Sequence, residues 1–269
     1  FAYNKNLKTI HFGTGLKEIA YGAFKGCSGL ENIDLSTSNI ENIQSFAFSQ
    51  CTSLTSVKFP SSLRQIYGSA FSETTALQTV TFNDGLDGIG SSAFSGSGLT
   101  TVTLPNSLTY LGSSAFSSCK DLASISIGTG ITEIPYNCFS GCNALTSVDL
   151  PEHVTSIGGG AYSYCNGLVS ITLPDHIQTV GASAFASCSN LEEVVIPDNV
   201  TTLGEKAFQY DSKLKYVQIG KGITTLEKDL FNSCESLSSV ELSEGLTAVK
   251  AFVFQYCSSL KTVTFPSTL

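Results

Sequence analysis

Charge is scarce in this chain: Asp, Glu, Lys and Arg make up 13% of its 269 residues, against a usual share of roughly 25%. The formal net charge is −8 and no basic patch offsets it. A phosphate backbone would be repelled, which excludes nucleic acid from the expected partners. Histidine is scarcer still, with only His11, His153 and His176. No GxSxG, HExxH or phosphate-loop string occurs, so the expectation is a non-enzymatic chain without cofactor or metal. No apolar run approaches the ~18 residues of a membrane span. No signal-peptide pattern is present. Ser, Thr, Asn and Gly supply the polar surface in place of charge.

What the chain has in abundance is a repeat. An aromatic residue is followed six positions later by a leucine, as in Phe24 and Leu30, Phe48 and Leu54, Phe116 and Leu122, and Phe185 and Leu191. Tyr162 stands in for phenylalanine once. The motif returns about every 23 residues from end to end, which predicts a stack of similar coils with a shared core. The consensus is LxxVxLPxxLTxIGxxAFxxCxx. Its LxxVxL segment alternates apolar and polar residues and reads as a short strand. Proline ends that strand at Pro60, Pro105, Pro151, Pro174, Pro197 and Pro266, because it has no N–H for a ladder.

A second apolar pair, such as Leu108 and Leu111 or Ile177 and Val180, predicts a shorter strand on the opposite wall. Gly90, Gly112, Gly158, Gly181 and Gly204 mark a corner, and AFxxC has apolar spacing for one turn of 3₁₀ or α-helix. One extra residue near Ser36 to Asn39 and one missing near Ser95 to Gly98 predict small bulges rather than boundaries. The chain opens at Phe1 and closes at Leu269 in mid-repeat. A stack needs polar caps, so residues 1–269 are expected to be a single solenoid excerpted, without its caps, from a longer protein.

Eight of the nine cysteines (Cys27, Cys51, Cys119, Cys142, Cys165, Cys188, Cys234 and Cys257) sit three residues after the aromatic. Thr74 and Asp211 replace cysteine in that slot, and Cys138 takes the alanine slot before Phe139. The favoured reading is a small buried side chain. Bridging between adjacent coils stays open on geometry, although the odd count argues against a disulfide framework. Cys138 and Cys142 have no partner pair, so zinc is not expected.

Glu152, His153, Asp175 and His176 occupy matching positions in consecutive repeats. They read either as a cation or pH-sensitive contact site or as two similar solvated turns. Outward strand positions are mostly Ser or Thr at the third residue of LxxVxL and vary at the fifth, where Asp149 falls. The largest departure is Glu193, Val195, Tyr216, Gln218 and Glu241, with Tyr216 the natural anchor. The outward face is either a recognition surface or a set of positions that tolerate any polar residue.

The strings AFSSCKDLASISI (Ala115 to Ile127), AFASCSNLEEVVIP (Ala184 to Pro197) and VFQYCSSLKTVTFP (Val253 to Pro266) resemble the BspA-like, or Treponema pallidum type, leucine-rich repeats. The resemblance implies surface-exposed or secreted proteins used in adhesion to host matrix or other cells. The expected fold is a right-handed leucine-rich repeat solenoid, a β-rich member of the α/β repeat class, of about eleven and a half coils. Its parallel sheet would line the concave face, with short strands or 3₁₀ turns on the convex face. The expected function is an extracellular adhesion module that binds a protein or glycan through its strand face. A structural spacer, or ice binding through Thr79/Thr81, Thr101/Thr103 and Thr262/Thr264, are the rival expectations.

Overall fold

The computed structural model describes residues 1–269. Its contacts gather into two compact units, Phe1–Ile131 and Thr132–Leu269. Each unit is a parallel β-solenoid with two kinds of strand and no helix.

In the first unit, two-residue strands at Glu18–Ile19, Asn42–Ile43, Gln65–Ile66, Gly88–Ile89 and Tyr110–Leu111 form one sheet. Three-residue strands form the other wall. Asn32–Asp34, Ser56–Lys58 and Thr79–Thr81 pair in one sheet, and Thr101–Thr103 pairs with Ser124–Ser126. Every pairing is parallel and in register from one repeat to the next, so alternation puts the same consensus position on the same face in each coil. Ile33 is buried between exposed Asn32 and Asp34, and Val102 between Thr101 and Thr103.

The second unit repeats the plan. Short strands Glu133–Ile134, Ser156–Ile157, Thr179–Val180 and Thr202–Leu203 make one sheet, and Thr225–Leu226 pairs with Ala248–Val249. The long strands Ser170–Thr172, Glu193–Ile196, Tyr216–Ile219 and Ser239–Leu242 make the sheet that carries most of the candidate site.

The strands describe about ten turns rather than about eleven and a half. Three expected long strands, at residues 9–11, 147–149 and 262–264, do not form. Segments this short have little intrinsic preference, and two or three bonds to a neighbouring coil decide the outcome. Leu145 and Leu150 stay buried on either side of Ser147–Asp149, so side-chain burial holds that segment without a ladder.

The core is a pair of aromatic columns. In the first unit Phe24, Phe48, Phe71, Phe94 and Phe116 stack with centroids 5.3–5.5 Å apart, and the exposed Phe1 ring stacks on the end at 5.4 Å. In the second, Phe139, Tyr162, Phe185, Phe208, Phe231 and Phe254 stack at 5.5–5.8 Å. The spacing is close to the ~4.8 Å between parallel strands, so one ring per coil fills the interval without a void.

The segment around each core aromatic is not helical, and its backbone shows why. Two residues per coil have left-handed dihedrals, one two positions before the aromatic and one two positions after. Examples are Phe46 (φ 60°) and Gln50 (φ 62°) around Phe48, and Ser183 (φ 56°) and Ser187 (φ 62°) around Phe185. Each left-handed residue breaks the helical path. N–H groups then alternate in destination. Ala47 and Ser49 donate to Gln44 and Phe46 within the coil, while Phe46, Phe48 and Gln50 donate to Gly68, Ala70 and Ser72 in the next coil. A run of turns thereby becomes a third wall of coil-to-coil hydrogen bonds.

The corner glycines answer to a different constraint. A Cβ on Gly112 would lie 2.3 Å from the Ser91 nitrogen, and one on Gly204 would lie 2.3 Å from the Ala182 nitrogen. These positions require glycine because the preceding coil's backbone passes too close for a side chain.

Insertion and deletion are absorbed locally. The extra residue becomes a turn in which Ser36 N–H donates to Asp34 Oδ1 at 3.0 Å and Ser38 Oγ donates to the Leu35 carbonyl at 2.7 Å. Where a residue is missing, Ser97 occupies the cysteine slot and contacts Cys119 Sγ at 3.2 Å.

Candidate recognition face

Five of the six predicted face residues come together. The register pairs Ser170 with Glu193, Glu193 with Tyr216 and Tyr216 with Ser239, and pairs Thr172, Val195, Gln218 and Glu241 in the same way. Two adjacent rows therefore cross four strands on the outward side, while Val194, Val217, Ile196 and Ile219 point into the core. Tyr216 lies at the centre. Its hydroxyl donates to Gln218 Oε1 at a long 3.4 Å. Partial desolvation, then the neighbouring Glu241 carboxylate and the charge of Glu193, push the phenol's pKa up. The patch is thus an aromatic ring between two carboxylates and an amide, able to accept hydrogen bonds from cationic or hydroxyl-rich groups while offering apolar area.

Asp149, the sixth residue, is exposed but lies in the unpaired segment 147–149, outside the hydrogen-bonded rows. Around the patch, Lys215 bridges back to Glu192 at 2.8 Å and Lys221 to Asp198 at 3.5 Å. Each of the six ion pairs joins neighbouring coils, as Lys8 with Glu31 and Lys250 with Glu227 also show. All are solvated and individually worth little.

The strip at Glu152, His153, Asp175 and His176 does not converge into a set of three or more metal-ligating side chains. The turn acids and amides there serve the backbone instead. Asp198 Oδ1 accepts the Lys221 N–H at 2.9 Å, and Asn199 Nδ2 donates to the Asp175 carbonyl at 2.7 Å.

All nine cysteines are free and buried. Their role is more specific than filling space. The thiols of Cys51 and Cys119 donate to the carbonyls of Phe24 and Phe94, and those of Cys165, Cys188 and Cys234 to Phe139, Tyr162 and Phe208, at 3.1–3.2 Å. Each accepting carbonyl belongs to the core aromatic of the preceding coil. The regular spacing from aromatic to cysteine was the available signal for this bond, but a sequence does not show which carbonyl lies opposite. Desolvation pushes Cys51 and Cys165 up to about 12 and Cys119 up to about 11, so these thiols stay protonated donors at neutral pH.

The register, the aromatic columns and the outward rows define a leucine-rich repeat module of the protein-interaction type. The chain belongs to the BspA type leucine rich repeat region family, whose six-copy model matches residues 1–97, 75–192 and 157–269. It is similar to a leucine-rich repeat protein from Bacteroides ovatus, with 28% identity and a TM-score of 0.76 over 93% of this chain and 70% of that one. It also resembles one from Eubacterium ventriosum, with 22% identity and a TM-score of 0.67 over 96% and 78% of the two chains. A leucine rich cell surface protein from Faecalibacterium prausnitzii shows 26% identity and a TM-score of 0.54 over 85% and 77%. No curated protein matches the chain. No helix of this chain is long and apolar enough to cross a membrane.

Proposed function

We propose that this chain is a non-enzymatic, extracellular recognition module that binds a protein or glycan through the strand face, in adhesion to a host matrix or another cell. The observation that carries the proposal is the registered patch of Glu193, Tyr216, Val195, Gln218 and Glu241 on one outward sheet surface. The same repeat positions in the first unit include small hydroxyl residues, as in Thr101, Thr103, Ser124 and Ser126. A single tyrosine among polar residues has the form of an interface anchor. The cell surface protein of Faecalibacterium prausnitzii lends support to the location.

The test is a binding screen of the chain against matrix proteins and glycans, repeated with Tyr216→Ala and Glu193→Lys. Both changes fall on outward positions and should leave the melting temperature close to that of the parent. Loss of the captured partner in both variants is the expected result. A partner held equally well by both would remove the strand-face patch from the mechanism. A chain that captures nothing would instead favour the spacer reading.

A further inference from the structure

A second surface, away from the strand face, has the features of a small-molecule site. It lies on the wall of turns in the unit Thr132–Leu269, as a cleft of about 290 Å³ among Tyr136, Tyr164, Tyr210, Ser187, Asn137 and Gln209. The three tyrosines are 56–59% exposed. We propose that this cleft binds a neutral sugar ring.

The first argument is conformational. Tyr164 (φ 60°) and Tyr210 (φ 67°) occupy the second left-handed position of their coils, which Gly96, Gly141, Ser118 and Ser233 fill elsewhere. The position also accepts Gln50, Glu73 and Tyr256, so the left-handed turn belongs to the fold and does not itself require a tyrosine. Neither ring supports the core. Both stand in solvent at a place where glycine or serine serves the fold equally well.

The second argument is spacing. Tyr164 and Tyr210 are two coils apart, with Ser187 in the matching position between them. Two coil intervals are about 10 Å, so the tyrosines rise on either side of a low floor made by Ser187 and Ala186. Tyr136 closes one end, its ring lying 3.3 Å from where a Cβ on Gly159 would stand. A side chain at Gly159 would displace that wall.

The third argument is charge. No Asp, Glu, Lys, Arg or His lines the cleft. A charged ligand would give up water and find no counter-charge. What the cleft offers is aromatic surface together with hydroxyl and amide groups. A pyranose ring has matching chemistry, with C–H-bearing faces for the rings and peripheral hydroxyls for Asn137, Gln209 and the serines. The volume sits at the lower limit of ~300–1,000 Å³ for small-molecule sites, which suits one or two sugar units.

The experiment is saturation-transfer NMR and calorimetric titration on the whole chain. The probes are glucose, galactose and N-acetylglucosamine, then maltotriose, cellotriose and chitotriose, with sialyllactose as the anionic contrast. Tyr164→Gly and Tyr210→Gly place glycine where the backbone favours it, so melting temperature should be kept or raised. The expected result is that at least one neutral probe binds and is weakened about tenfold or more in these variants. Tyr164→Phe and Tyr210→Phe should retain most of the affinity. Monosaccharide binding would indicate a terminal sugar, and binding of trisaccharides alone an internal stretch. Tyr216→Ala should leave this binding intact, which separates the cleft from the strand-face patch. The proposal is overturned if no neutral probe binds, if only sialyllactose binds, or if affinity is indifferent to Tyr164 and Tyr210.

Discussion

Asp211 Oδ1 accepts the backbone N–H of Cys188 at 2.7 Å across adjacent coils, with the carboxyl wholly buried. Asp211 occupies the slot that elsewhere holds a cysteine, whose S–H donates to a carbonyl of the preceding coil. Its Oδ2 is buried with no hydrogen-bond partner. Burial pushes the carboxyl well above the ordinary carboxylate range, with the Cys188 N–H opposing that shift. A neutral carboxylic acid, with one acceptor and one O–H donor, suits a slot otherwise filled by a thiol.

The sign of the pH dependence follows. The folded chain keeps a proton that the unfolded chain releases near pH ~4. This contribution to stability is complete below that pH and is lost as the pH rises from there through the folded value. The thiols of Cys188 and Cys234 are the titratable neighbours of Asp211 and are themselves shifted upward. Exposed Asp34, Glu41, Glu192 and Asp198 are shifted downward by hydrogen bonds and lysines, so they act in the opposite direction and at lower pH. Asp211→Asn keeps an acceptor and cannot ionise. Melting curves from pH ~4 to ~8 should show a flatter slope for the variant and higher stability than the parent at neutral pH. Equal slopes would mean that Asp211 is ionised in the fold.

Phe185 is fully buried, with Tyr162 at 5.5 Å on one side and Phe208 at 5.6 Å on the other. Phe185→Ala should cost about 3–5 kcal/mol in denaturant unfolding, and Phe185→Leu less. Because each coil leans on its neighbours, hydrogen exchange should rise first at the amides of the flanking coils.

Two backbone substitutions should move stability in opposite directions. Lys206 has φ 60°, so Lys206→Gly should gain roughly 0.5–1 kcal/mol. Gly204→Ala places a Cβ 2.3 Å from the Ala182 nitrogen and should lose about 1–3 kcal/mol as the coils are forced apart. Paired thermal melts of the two variants provide the check.

The thiols should be silent in the native protein. Cys119 is pushed up to about 11 and Cys51 to about 12 by burial, leaving little thiolate at pH ~8. A disulfide reagent should label all nine rapidly only after denaturation. Cys257, with its thiol at about 11 and 8% exposure, should be the first to react during slow native labelling. Rapid labelling of Cys188 or Cys234 would contradict the packing.

Much of this architecture was legible in the repeat. Phe48, Phe71 and Phe94 recur with the coil, and recurrence implies that they stack. Glu193, Tyr216 and Glu241 could be placed on one face because alternation in a strand is local. The left-handed positions were not legible. Serine, glutamine, tyrosine, lysine and phenylalanine all occupy them, so no residue type marks the site and the inter-coil hydrogen bonds enforce the geometry. The tyrosine cleft escaped detection for the same reason, since Tyr164 and Tyr210 become neighbours of one floor only once those turns are formed.

The sequence by itself determined that the chain is a stack of leucine-rich coils, which residues form its core, and that Tyr216 and its companions face outward. These follow from side-chain periodicity, which is written in each 23-residue copy. The tertiary structure alone decided which three-residue segments became strands and left Ser147–Asp149 unpaired. It also fixed the carbonyl that each thiol meets and the burial that pushes the Asp211 carboxyl upward. Those outcomes depend on bonds and burial supplied by the adjoining coil, a full repeat away in the chain.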